Sequence, residues 1–190
     1  MKPRFLKPAI FFGLIFGVIM IIEFLVLYKL DIDPLKYPYL GTIINLSNYL
    51  IMPVLFILLA VRTYKYKHNE GYISSSETLR TGAVVTIIAA LTYSVFNLGF
   101  NYAFPEFIDE TIVKMHNIAL QQRENMLAQG ATEEDVLSVE QIEQNLELTK
   151  QSMSSFFSIP MTVVMYAIVG IVASLVISAF VRREKPKQVS

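Results

Sequence analysis

Apolar residues are gathered into four long blocks rather than dispersed in short periodic groups. They run from about Ala9 to Leu30, Leu40 to Val61, Thr81 to Phe104 and Phe156 to Val181. Each is long enough to cross a bilayer, which takes about 20 residues at 1.5 Å rise each. A segment in hydrocarbon must satisfy its own backbone groups, so each block is predicted to be a helix. The last three blocks contain no Asp, Glu, Lys or Arg. The first follows a basic flank, "MKPRFLK". Its apolar run is too long for a secretory signal and no small-x-small cleavage site follows, so a retained anchor is expected. The predicted fold class is an all-α membrane protein, residues 1–190 forming one integral membrane domain. Its four transmembrane helices are expected over about 9–30, 40–61, 81–104 and 156–181.

Polar stretches between the blocks set the connectivity. "DIDPLKYPY" at 31–39 is short and proline-punctuated, which makes helices one and two antiparallel neighbours. The loop over 62–80 contains a turn signal at Asn69-Glu70-Gly71, and Ser74, Ser75 or Ser76 can cap a short helix leading into the third block. The basic-aromatic mixture Arg62, Tyr64, Lys65, Tyr66 and Lys67 suits the lipid headgroup layer, either as a general anchor or as a specific headgroup site.

Residues 105–155 are the one sizeable region outside the blocks. Pro105 fits the first turn of a helix. Ile108, Ile112, Met115, Ala119, Gln122 and Met126 recur at spacings of three and four, and Gly130 offers a left-handed stop. Thr132 with Asp135 resembles a capping box. A second arm then carries Val139, Ile142, Leu146, Thr149 and Met153 at the same spacings. The expectation is an extracytoplasmic helical hairpin between membrane helices three and four. Its stripes either pack on each other or dock a partner.

The mean hydropathy is +0.48 and the net charge zero, so no basic excess points to nucleic acid. Cysteine is absent, which removes disulfides and thiolate chemistry. Orientation follows the distribution of Lys and Arg. One side of the predicted topology holds eleven of them: Lys2, Arg4, Lys7, Arg62, Lys65, Lys67, Arg80, Arg182, Arg183, Lys185 and Lys187. The other holds five, Lys29, Lys36, Lys114, Arg123 and Lys150. Both termini are therefore expected in the cytoplasm and residues 105–155 on the opposite side of the membrane. That segment carries ten acids and three bases.

An acid lies inside the first block, in "GVIMIIEFLVLY". Glu23 sits seven residues before Leu30, roughly 10 Å below the outer end of its helix. The same depth falls near Asn45 and Asn48 on helix two. On helix three it falls near Tyr93, Asn97 and Asn101, and on helix four near Thr162 and Tyr166. These eight residues form a candidate intramembrane polar cluster. An acid in lipid faces the bundle interior, and three roles stand open for it: interhelical glue, a ligand or ion pocket, or a proton relay. Small residues form packing seams at Gly13 and Gly17, at Gly82, Thr86, Ala90 and Ser94, and at Gly170, Ser174 and Ser178. Such seams serve contacts within one chain or between two. Pro53 is expected to kink helix two, whereas Pro160 lies near a helix end, where it costs less.

No phosphate loop, H-E-x-x-H motif or nucleophile elbow is present. His68 and His116 fall on opposite sides of the predicted topology and cannot share a metal. No catalytic residue, cofactor or metal site is therefore expected. The leading expectation is a non-enzymatic structural or interaction component of a membrane. Besides the lipid bilayer, its partner would be a second copy or another protein within the membrane or on the hairpin's side of it, reached through the hairpin and the small-residue seams. The alternative is a small solute- or ion-binding protein or transporter subunit with a polar pocket around Glu23.

The whole layout resembles a known bacterial family. Glycines and then an acid stand in helix one, "GYISSSETLRTG" leads into helix three, and "NYAFPEFIDE" stands where that helix emerges before an acidic insert. These features resemble the family of domain of unknown function 4199, found mainly in Gram-negative envelopes. The resemblance implies an inner-membrane protein with four transmembrane helices. It implies no activity, cofactor or functional residue.

Overall fold

The computed structural model describes residues 5–183. Lys2, Arg4, Lys185 and Lys187 of the charge count lie outside the described residues. Among the described residues six helices follow one another: α1 (Leu6–Lys29), α2 (Pro38–His68), α3 (Ser75–Ala103), α4 (Pro105–Ala128), α5 (Val139–Ser154) and α6 (Ser158–Val181). Four of them, α1, α2, α3 and α6, are long and apolar enough to cross a membrane. Among the described residues the only extended pairing is an isolated antiparallel bridge between Ile73 and Arg183.

The helices do not stop where the apolar blocks stop. α2 runs on through Arg62, Lys65 and Lys67, and α3 begins at Ser75, six residues before the third block. Hydrophobicity marks what lipid tolerates, whereas a helix continues until its backbone bonds are capped. Ser74 supplies that cap: its Oγ accepts from Glu77 N, and the Glu77 carboxylate accepts from Ser74 N. Between α2 and α3 the chain reverses through Glu70 and Gly71, both with positive φ.

α3 is the central helix, packed on α1 along one side and on α6 along the other. Its small residues permit this. A methyl group on Gly13 would stand 2.7 Å from Val85 O, and one on Gly17 would stand 2.6 Å from Thr92 Cβ. On the opposite side Gly82 meets Ser174, and Gly170 meets Thr86, so each helix offers a glycine to the other's hydroxyl residue. All the seam residues are buried inside one chain. Larger side chains fill the space beside them, with Phe16, Ile57, Val61 and Val85 fully buried. Phe16 stacks on Phe56 with centroids 5.4 Å apart.

Polar contacts fasten the end where α1 begins and α6 stops. Tyr64 OH donates to Glu77 Oε1 at 2.6 Å, and Lys65 Nζ donates to the Val181 carbonyl at 2.8 Å. Arg183 exchanges backbone bonds with Ile73 and lays its guanidinium 5.6 Å from the centre of the Tyr72 ring.

At the other end α4 and α5 form an arm. The chain breaks helix at Phe104 and resumes at Pro105, the first residue of α4. Phe107 just beyond is clamped edge-on against Phe24, Tyr28 and Phe100, with centroids 5.4–5.7 Å apart. Lys150 of α5 pairs with Asp109 near the start of α4 at 2.8 Å, and Arg123 near the end of α4 donates to the Leu137 carbonyl. The two helices therefore run in opposite directions. Ile108, Ile142 and Leu146 of the predicted stripes are buried, but Met126 and Val139 are exposed. Lys114 reaches Asp33 at 3.1 Å and ties α4 to the loop before α2.

The second arm does not begin at Thr132. The Thr132 hydroxyl donates to the Asp135 carboxylate instead of accepting from the Asp135 N–H, so the pair closes a turn and no helix grows from it. That hydrogen bond holds the Asp135 carboxyl below the usual carboxylate range. The capping box that starts α5 is Ser138 with Gln141.

Candidate functional site

Pro53 shapes the helix that builds the site. A proline lacks the N–H that would bond the carbonyl four residues earlier, and its ring crowds that carbonyl. α2 responds with a π turn over Ser47–Ile51, in which Met52 N–H reaches back five residues to Ser47 O. The expected simple kink is thus an inserted residue. Before this turn, α2 over Pro38–Leu46 has no buried residue. This part of the helix stands away from the core, and a cavity of about 330 Å³ lies beside it.

Four helices contribute to the cavity wall. Six of the eight cluster residues line it: Glu23, Asn45, Asn48, Tyr93, Thr162 and Tyr166. Met20, Phe24 and Leu27 of α1, Ile44 and Tyr49 of α2, and Pro34 from the preceding loop complete the lining. Glu23 is half-buried, and its carboxylate Oε1 accepts from Asn48 Nδ2 at 3.3 Å. Asn48 Oδ1 is buried without a partner among the described residues. No lysine or arginine lines the cavity, and Glu23 is its one carboxylate. Thr162 spends its hydroxyl proton on Ser158 O in its own helix, leaving its oxygen to accept.

Asn97 and Asn101 lie elsewhere. They follow Tyr93 on the same stripe of α3, each one turn further along the axis, and a turn advances about 5.4 Å. That carries them past the cavity to the arm. Asn101 is buried, and its Nδ2 donates to Asn97 Oδ1 at 3.0 Å and to Met153 O near the end of α5 at 3.1 Å. Asn101 thus joins α3 to the arm, with Asn97 bonded to it from within α3.

Phe24 and Tyr49 are functional candidates that a search for polar side chains at one depth passes over. Tyr49 lies against Tyr166, ring centroids 5.3 Å apart, and both face the acid's cavity. The available signal was the proline four residues beyond Tyr49, which accompanies a π turn over Ser47–Ile51 that contains both Asn48 and Tyr49. The site thus offers one carboxylate, amide and hydroxyl groups, and several aromatic rings. Such a set can bind and orient a small molecule.

No curated protein and no solved structure matches the chain. The family described as "Protein of unknown function (DUF4199)" matches residues 11–183, nearly the full length. The chain therefore belongs to this family.

Proposed function

We propose that this protein is a non-enzymatic binding protein of a bacterial inner membrane, and that its cavity takes a small polar solute. In this reading both chain ends face the cytoplasm and the α4–α5 arm faces the periplasm, following the eleven-to-five division of basic residues. The observation that carries the proposal is the cavity itself. Glue between helices needs no chamber, yet Glu23 borders about 330 Å³ of space, within the range of about 300–1,000 Å³ typical of small-molecule sites. The small-residue seams support the same choice, because they are filled within the chain and leave no open seam for a partner helix.

Substituted-cysteine labelling tests this directly, since the chain has no cysteine of its own. Asn45→Cys and Thr162→Cys are expected to react with a small, charged thiol reagent added from the arm side of sealed vesicles. Leu175→Cys, on an exposed apolar face, is expected to stay unreactive. If positions 45 and 162 prove as inert as position 175, the cavity is closed or lipid-filled and the proposal fails.

The arm supports a second reading, association with another copy or a periplasmic or membrane protein. Val113, Leu137 and Leu148 are each more than half exposed on this otherwise acidic element. Photo-cross-linkers at Gln122 and Glu143 that capture nothing in native membranes would remove it.

A further inference from the structure

We infer that the solute taken by this cavity is an organic monocation, an amine or quaternary ammonium bearing a small apolar body. The inference rests on the binding role proposed above and adds the chemical class. Three observations converge. Glu23 is the one charged group in the cavity wall, so a single positive charge is what the wall complements. The aromatic residues Tyr49, Tyr93 and Tyr166 line the same cavity, as does Phe24, whose ring is also packed against Phe96, Phe100 and Phe107. Aromatic faces attract cations, most strongly where water is excluded, and cages of such rings are the recurrent solution for ammonium groups. The rest of the wall includes Met20 and Leu27, which complement alkyl groups.

Other classes fit less well. An alkali ion gives up its water only for a full shell of oxygens, and much of this wall is carbon. A divalent metal takes several carboxylate, carbonyl or imidazole ligands, whereas one carboxylate lines the cavity. Among the described residues, no group of three or more His, Asp or Glu side chains is placed to hold a metal ion. An anion would meet Glu23 with no lysine or arginine to offset it.

The test uses the full chain in lipid nanodiscs and two probes of nearly the same shape, choline and its uncharged carbon isostere 3,3-dimethylbutanol. Binding is read by calorimetry and by tyrosine fluorescence. Choline is expected to bind at least tenfold more tightly than the isostere. Glu23→Gln, which keeps the shape, is expected to remove most of that preference. Tyr49→Leu is expected to weaken choline by threefold or more, and because Tyr49 is 45% exposed its loss leaves the core intact. Thermal unfolding of each variant confirms that the fold survives. Equal binding of choline and the isostere would overturn the cationic class while leaving a solute cavity standing. Failure of both probes to bind, in a protein that also fails the cysteine labelling, would overturn the cavity reading and this inference together.

Discussion

Gly17 of α1 and Thr92 of α3 approach so closely that a methyl group on the glycine would lie 2.6 Å from Thr92 Cβ and 2.9 Å from the Ala89 carbonyl. The carbonyl belongs to the backbone of α3 and cannot rotate aside, so the helices must separate. Gly17→Ala is expected to cost about 1–3 kcal/mol through this overpacking. Gly99→Ala is the matched control, because nothing lies within 4 Å of that position. It is expected to be neutral or to stabilise by up to about 1 kcal/mol through helix propensity. Thermal unfolding in detergent micelles reads the difference, and equal midpoints for the two variants would contradict the packing described for α1 and α3.

Glu77 binds more groups than a cap requires. Besides closing the capping box it accepts from Tyr64 OH, Ser74 Oγ and Asn69 Nδ2. Glu77→Ala should therefore loosen the turn between α2 and α3, at a cost of about 1–3 kcal/mol from the lost cap and hydrogen bonds. Tyr64→Phe removes one donor and leaves Glu77 its others, so about 1 kcal/mol is expected. Hydrogen exchange over residues 69–78 should rise strongly for the first variant and slightly for the second.

Acid should release the arm from the loop it touches. Burial pushes the Asp33 carboxyl up, but the Leu35 N–H and the Lys114 ammonium together outweigh it and hold the group below its ordinary value. A carboxyl depressed in the folded state stabilises above its unfolded pKa, and that contribution is lost as pH falls through the folded value. Protease or exchange protection of residues 31–37 should thus be constant near neutrality and fall below about pH 4. Asp33→Asn should show the low-pH behaviour of this contact already at pH 7. The same loss of protection at every pH in both proteins would show that the ion pair is irrelevant.

Lys150 works in the opposite sense. The Asp109 carboxylate beside it accepts its hydrogen bond and raises its pKa above the ordinary lysine value. A raised pKa stabilises below the unfolded value, and the benefit is lost as pH rises through the folded one. Contact between α4 and α5 should consequently persist through neutral pH and weaken in strong alkali. Spin labels on the two helices would report any earlier separation.

Sidedness has its own test. Gln129→Cys, at the tip of the arm, should react with an impermeant thiol reagent on intact spheroplasts. His68→Cys, at the opposite end of α2, should react only after lysis. Reaction of both from one side would reverse or dissolve the four-crossing topology.

Much of this architecture was legible because lipid imposes a severe rule. A helix in hydrocarbon must be long, apolar and internally bonded, and four blocks obey that rule visibly. The seams were legible for a similar reason, since few residues let helix axes approach closely, though only the structure shows that they close within one chain. The far end of α2 was not legible, because it extends into polar sequence on the strength of its packing, whereas the cap at Ser74 was, although it starts α3 itself and not a separate short helix. The start of α5 was misplaced because Thr132 and Asp135 can satisfy each other in a turn as well as in a cap. For the site, matching depths put Glu23, Asn48, Tyr93 and Tyr166 at one height, and all four line the cavity. A match good to about one turn did not separate Asn97 and Asn101, which stand one and two turns beyond Tyr93. Nor could it find Tyr49, whose direction depends on a π turn.

That turn has a wider consequence. An α-helix advances about 100° of rotation per residue, so one additional residue in the winding swings everything before it by that angle. The facing of this wall thus depends on one residue's worth of winding, and trimming a single amino acid between 47 and 51 is expected to swing residues 38–46 by about 100° and carry Ile44 and Asn45 round from the cavity.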